Sequence, residues 1–383
     1  MKTLLRIVIP LILCLVFVSP NALAKNKLVV NWVPDVYSMR NSSSSGFLDD
    51  ATVRIAITNK LTEKLRSLDK AGKLPFELNE SSSGSLNNVR EDYSDSMPIG
   101  LIPMMIFDQP FSTSYQAGTD TFYRDIIACS LSIAIVSGED ESHSQRILAV
   151  VPMSGYTELG NLPNLIKEPI PYETKKNTFI ALACRMIDNE LDFSKVSKAL
   201  KDWEVKQVLP ETYQVTNVSI SSKKGQGIFG SKSDNEMVKA IISNFFTTAY
   251  QKTTGKIVLP PINAQEAMKE ISTGVYAFEM RSLSNQASVT YAAPKHKIEL
   301  NFNGCNTKEI ERSEKNESYA RTDFIYRAWL SRKIDGNEIE LDSYETHNFS
   351  KTDTYEQMRS VIEKNTYVDL LIGLARKLGE RKG

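Results

Sequence analysis

Two rhythms of apolar and polar positions alternate along the chain. Val53, Ile57, Leu61, Leu65 and Leu68 recur every three or four residues. That repeat lines one face of an α-helix, which begins at Asp49 or Asp50 and stops at Gly72. Leu28–Val33, Ile99–Phe107, Asp125–Val136 and Arg146–Met153 are apolar runs of strand length. The last two flank Ser137-Gly138-Glu139-Asp140-Glu141-Ser142 and read as a hairpin. Residues 41–46 and 79–96 are polar and Ser-rich, hence loops. Helices follow over Tyr172–Asn189 and Phe193–Trp203.

The second half predicts a similar order. Tyr213–Ser221 is a strand, followed by a loop. Asp234 caps a helix whose Met237, Ile241, Phe245 and Ala249 share a face. Lys256–Leu259 is a short strand ended by Pro260-Pro261, Ala264–Ser272 a short helix with Met268 and Ile271 inward, and Val275–Leu283 a strand. Two hairpins come next: Ala287–Ala293 with Lys297–Gly304, then Ala320–Arg332 with Glu338–Glu345 across Asp335-Gly336, residues that tolerate positive φ. An amphipathic helix, Thr354–Leu378, closes the chain at Gly379.

The shared order, strand, helix, strand, hairpin, helix, points to an α/β (α+β) fold. It predicts two tandem domains, each a mixed sheet with packed helices, in the pattern of a duplication. Lys176-Asn-Thr-Phe179 and Lys364-Asn-Thr-Tyr367 echo one another at matching places. The boundaries read are a first domain over 25–204, a linker over 205–212 crossed once, and a second domain over 213–383.

The start of the chain sets the compartment. Lys2 and Arg6 precede an apolar run, Ile7–Ser19, and Ala22-Leu23-Ala24 is a small-x-small cleavage pattern. A signal peptide over 1–24 is expected, with a periplasmic or otherwise exported mature chain beginning at Lys25. Cys14 lies inside the apolar run with no small residue before it, so it is not a lipoprotein cysteine. No later run reaches the roughly 18 apolar residues of a membrane helix. The chain has 46 basic and 46 acidic residues and a mean hydropathy of −0.27. Without Lys2 and Arg6, 44 basic and 46 acidic residues remain, a net charge of −2. That balance argues against a nucleic-acid partner.

Candidate chemistry is sparse. Of the cysteines that remain, Cys129 and Cys184 fall in one half and could pair, while Cys305 follows Gly304 and stays unpaired; buried apolar thiols are the alternative. Gly225-Gln-Gly227-Ile-Phe-Gly230 fits a dinucleotide fingerprint as a string. Three residues separate it from the helix, however, and no acidic residue ends the next strand, so it reads as a flexible loop. His143, His296 and His347 lack metal-ligand spacing and read as solvated. Ser67-Leu-Asp-Lys70, Ser221-Ser-Lys-Lys224 and Ser233-Asp234-Asn235 match serine-hydrolase strings, without the Lys-Thr-Gly that completes them. Glu139/Asp140 and Glu309/Glu311 are charged surface. No catalytic, cofactor-binding or metal residue is assigned. The alternation of Ala287–Ala293 and Ile298–Asn303 suits either a sheet with one buried face or a barrel wall, which leaves outer-membrane contact open. Trp329 shares a face with Ile325 and Arg327, opposite Phe324, Tyr326 and Ala328, and core is the favoured setting for the strand.

Phe324–Arg332, Asp335-Gly336 and Glu338–Glu345 are similar to the late hairpin of a known envelope family. With the order of elements over about 213–380, and more faintly 28–190, the chain resembles the domain shared by curli secretion-pore proteins and the amino-terminal domain of the Tol translocation protein. The resemblance implies an envelope assembly, scaffold or accessory component that works through contacts with envelope proteins or with itself, and no cofactor. The chain departs from the pore proteins in having no lipoprotein cysteine and no pair of long membrane hairpins, so only the scaffold role carries over. Two alternatives stand beside it: a periplasmic hydrolase whose residues converge only in space, and a small-ligand binder.

Overall fold

The computed structural model describes residues 28–39, 45–80, 99–117, 119–137, 146–160, 165–206, 210–229, 232–261, 268–272, 275–281, 286–312, 321–350 and 353–381. The expected signal peptide, Cys14, His143, Glu139/Asp140 and most of the Ser-rich 79–96 segment lie outside the described residues. Strands β1 (Val29–Trp32) and β2 (Tyr37–Ser38) are followed by α1 (Ala51–Lys70), β3 (Glu77–Asn79), β4 (Ile99–Phe107), β5 (Pro110–Ala117), β6 (Asp120–Ser137) and β7 (Arg146–Leu159). Helices α2 (Tyr172–Glu190) and α3 (Ser197–Lys206) complete the first half. The second half runs β8 (Thr212–Ile220), α4 (Lys223–Phe229), α5 (Lys232–Thr254), β9 (Ile257–Leu259), β10 (Met268–Ser272), β11 (Val275–Arg281) and β12 (Gln286–Ala292). It ends with β13 (His296–Arg312), β14 (Arg321–Ile334), β15 (Asn337–Ser350) and α6 (Asp353–Glu380).

Local chemistry sets the ends of α1. Asp50 is its N-cap and accepts from Thr52 N at 2.8 Å. At the far end Gly72 takes φ +64, and Lys73 N reaches back to Leu68 O at 2.9 Å. The β14–β15 hairpin turns on Asp335 (φ 50) and Gly336 (φ 87), as the sequence predicts.

Two mixed sheets form. In the first, β3, β1 and β4 are parallel and β6 and β7 continue antiparallel. In the second, β9, β8 and β13 are parallel and β14 and β15 continue antiparallel. The same order with the same directions therefore occurs twice, each time with a long helix between the first two strands in sequence and another after the last. Both third strands also carry a bulge between their seventh and ninth residues, Met105/Phe107 in β4 and Phe302/Gly304 in β13.

The two sheets share a helical layer. Strand β6 is buried on both faces, so it reads as an apolar run rather than an alternation. Ile127, Cys129, Leu131, Ile133 and Ile135 join a core with α1, α2 and α3. Ile126 and Ala128, with Phe107 and Phe111, join the core of α5, α6 and the second sheet. The alternation is sharpest in β7. A Cβ on Gly155 would meet Met186 Sδ of α2 at 2.8 Å, while the next residue, Tyr156, packs edge-on against Phe245 of α5. The layers run helices, sheet, helices, sheet.

Several expectations are corrected. The chain does not cross between sheets once: β8 and β9 lie in the second sheet, β10, β11 and β12 return to the first, and β13 starts the second again. The return is anchored where β11 meets β2 at Arg281↔Ser38. The 287–304 hairpin does not form, because β12 pairs with β11 while β13 pairs with β8 and β14. Residues 268–272, expected as helix, are a strand paired from Met268↔Phe278 onward, so cross-strand pairing overrides a short helical period. The loop after β8 contains α4, and α5 begins at Lys232, two residues before the expected cap Asp234. Strands β3 and β5 were not foreseen from the sequence. Gly379 lies inside α6 rather than ending it.

Candidate functional surfaces

Among the described residues, the second sheet carries helices on one face only. On β14, Phe324, Tyr326, Ala328 and Leu330 point into the core, and the alternate residues form the outer face. There Trp329 lies against Gly304 of β13, where an added Cβ would meet the indole at 3.6 Å. The Arg327 guanidinium sits 5.0 Å from the Trp329 ring, and its Nε donates to Asp342 Oδ2 of β15 at 2.7 Å. Ser219 Oγ of β8 donates to Asn301 Oδ1 of β13 at 2.7 Å, and Asn303 pairs with Glu340 of β15. Tyr344, opposite Arg327, is 69% exposed. Tryptophan, tyrosine and arginine on a flat surface are the residue types that anchor protein contacts.

Strand β15 is the end of that sheet, and among the described residues no strand pairs with its outer edge. It is fourteen residues long. Glu338, Glu340 and Asp342 lie on its outward face, exposed. Acidic side chains on an edge disfavour pairing with a like edge, and leave strand addition open to a segment that brings cations.

A second feature is the charged seam between the first sheet and the shared helices. Arg124 of β6 pairs with Glu158 of β7 at 2.6 Å and reaches Asp369 of α6 at 3.9 Å. Burial, reinforced by the charge of Glu158 and opposed by Arg124, raises the Asp369 pKa to about 7. Burial and the neighbouring carboxylates lift Tyr156 to about 12. Arg376 lies over Phe245 at 4.7 Å and over Tyr156 at 6.0 Å. No local motif marks this cluster. It is brought together from β6, β7 and α6, with Asp369 more than 200 residues from both Arg124 and Glu158, so the sequence carries no local sign of it.

The residues singled out from sequence land as follows. Cys129 is buried, with Sγ 3.9 Å from Met105 Sδ; Cys184 and Cys305 are half-buried, and all three are free thiols. Burial raises the pKa of each, Cys305 to about 11, so none is an activated thiolate. Gly225 and Gly227 lie in α4, not in a loop; a Cβ on Gly225 would meet the Phe302 ring at 2.6 Å, so this glycine serves helix-to-strand packing. His296 stacks on Tyr213 at 4.2 Å and pairs with Asp335 and Glu211. His347 pairs with Glu345 and Thr366. Both histidines are held in pairs rather than simply solvated. Ser67 and Lys70 are in α1, Ser221 bonds Phe302 O, and Ser233 and Asp234 open α5. Among the described residues no three metal-ligating side chains converge, and no helix is long and apolar enough to cross a membrane.

No family model and no curated protein matches the chain. Among solved structures, a minor lipoprotein from Acinetobacter baumannii aligns at 10% identity with a TM-score of 0.23, covering 45% of this chain and 94% of that one. A neuraminyllactose-binding hemagglutinin homolog from Helicobacter pylori aligns at 14% identity with a TM-score of 0.28, covering 46% and 91%. Likenesses at this level assign no family.

Proposed function

We propose that the chain is an exported, non-enzymatic envelope component that works as a scaffold or accessory protein through contacts with other envelope proteins or with itself. The signal-like segment over 1–24 supports export. The observation that carries the contact role is the second sheet: one face is packed by α5 and α6, while the other presents Trp329, Arg327 and Tyr344 beside the unpaired edge of β15. An extended partner segment would add to β15 by backbone hydrogen bonds, and the Glu338, Glu340 and Asp342 row would select one bearing lysines or arginines. In this reading the unit over 213–383 carries the platform and lends strands β10, β11 and β12 to the first sheet, and the unit over 25–204, joined to it by 205–212, backs it through the shared helical layer.

The test places a photo-crosslinking residue at Tyr344 in the exported chain and, in parallel, at exposed Ile55 on the far helical layer. Adducts from position 344 alone, abolished by the charge reversal Asp342→Lys, support the reading. Equal adducts at both positions, or none at 344, overturn it.

A further inference from the structure

At one end of the second sheet, the β14–β15 turn and the C-terminal end of α5 border an open cavity of about 510 Å³ lined by Tyr213, Tyr250, Lys256, Arg332, Asp335 and Asn337. Two cations look into it. Arg332 is 2% exposed, and its Nη1 donates to Leu378 O at the end of α6 at 2.7 Å. Its guanidinium lies 5.6 Å from the Tyr250 ring. Lys256 Nζ sits 4.4 Å from the centre of the Tyr213 ring and 3.4 Å from Tyr250 Oη. Among the described residues neither cation has a carboxylate partner. The carboxylate at the rim, Asp335, is taken by His296 Nδ1 at 2.5 Å.

A buried guanidinium held only by a carbonyl and a ring face remains electrostatically uncompensated, because neither supplies a countercharge. Burial draws the Arg332 pKa below its ordinary value. Burial also works against the charge on Lys256, but its hydrogen bonds with Tyr213 and Tyr250 hold its pKa above the usual lysine value. Both groups stay charged at neutral pH, and a ligand of opposite sign would gain from both.

We propose that this cavity binds an organic oxyanion: a phosphate-type head group between Lys256 and Arg332, carried on a ring-sized body lying against Tyr213 and Tyr250. The planar fork of an arginine matches a phosphate or carboxylate edge, and a lysine adds a point charge beside it. The volume exceeds that of a bare ion and falls in the range of small-molecule sites. Tyr213 and Tyr250, themselves 5% and 3% exposed, line the cavity, and half-buried Ile334 and Ile339 add apolar surface to its wall. Thr253, Thr254 and Asn337 supply hydrogen-bonding groups for the body of the ligand. This site lies at the turn end of β15, away from Trp329 and Tyr344 on the outer face, so its test is independent of the crosslinking at Tyr344.

The experiment is calorimetric titration of the mature chain with glucose 6-phosphate, phenyl phosphate, inorganic phosphate and uncharged glucose. The expected result is binding of at least one organic phosphate about tenfold or more tighter than inorganic phosphate, with no heat from glucose. Lys256→Gln, an exposed position whose folding is checked by circular dichroism, weakens that binding at least about tenfold, Lys256→Arg retains it, and Tyr250→Leu removes the advantage over inorganic phosphate. The proposal is overturned if no organic phosphate binds at about 10 mM, or if Lys256→Gln binds as the parent does, or if glucose matches glucose 6-phosphate.

Discussion

Ser130 Oγ of β6 donates to Asn244 Oδ1 of α5 at 2.8 Å, and both side chains are buried. The bond joins the first sheet to a helix of the second half, and Asn244 Nδ2 is used at Ala240 O. Replacing Ser130 by Ala leaves the Asn244 oxygen buried without that donor. The expected loss is about 1–3 kcal/mol of unfolding free energy, larger than for the same change on a surface serine. Chemical denaturation of Ser130→Ala beside Ser112→Ala, an exposed position on β5, measures the difference.

Two glycines of α6 should respond to alanine with opposite signs. At Gly379 an added Cβ would stand 2.8 Å from Phe246 O, Tyr250 N and Ala249 Cβ, so α5 and α6 touch there through backbone. At Gly373 nothing lies within 4 Å. Helix propensity favours alanine at both by roughly 1 kcal/mol. Gly373→Ala is expected to gain up to about that much, whereas Gly379→Ala must push two helices apart and loses about 1–3 kcal/mol. Thermal unfolding of the pair reads the sign.

These residues also show what the sequence could carry. Val53 to Leu65, the Asp50 cap, Gly72 and the Asp335-Gly336 turn are fixed by short-range periodicity and by φ, so they were legible. Gly379 looked like a helix stop because a sequence shows that a side chain is missing, not what the missing side chain would strike. Residues 268–292 misled for a related reason. Strand β12 pairs back onto β11 rather than on to β13, and β11 reaches β2 far earlier in the chain; pairing partners are a property of the tertiary fold. The candidate surfaces were half legible. The alternation around Trp329 was visible, yet the strand was expected to be core on both faces. Lys256 with Arg332, and Arg124 with Glu158 and Asp369, meet only across 34 or more residues and leave no local signature.

The thiols test the chemistry of the first half. Burial raises the pKa of Cys129, Cys184 and Cys305, so alkylation of the folded chain from Lys25 onward near pH 8 is expected to be slow, with Cys129 slowest. After denaturation without reductant, three labels by mass spectrometry agree with the free thiols of the structure. A single label, located on Cys305, would show instead that Cys129 and Cys184 pair.

Asp369 ties stability to pH through the seam. Its folded pKa of about 7 stands above the ordinary 3.8, chiefly from burial and then from the charge of Glu158. Between those values the folded chain holds a proton that the unfolded chain has released, so unfolding free energy falls as pH rises. The groups facing Asp369 are Glu158, Arg124, Glu345 and Tyr156; the charge of Arg124 and the hydrogen bond of Tyr156 oppose the effect, and the two carboxylates add to it. The gap between 3.8 and about 7 corresponds to at most about 4 kcal/mol, spread over that interval. Asp369→Asn keeps the shape and removes the proton. It is expected to match or exceed the parent in stability above pH 7 and to lose its advantage below pH 5. Urea unfolding at pH 5 and pH 8 measures this: the parent should lose stability between them, and Asp369→Asn should lose less. Parallel slopes for the two proteins would mean that Asp369 is ionised at both pH values and that Arg124 outweighs burial in the seam.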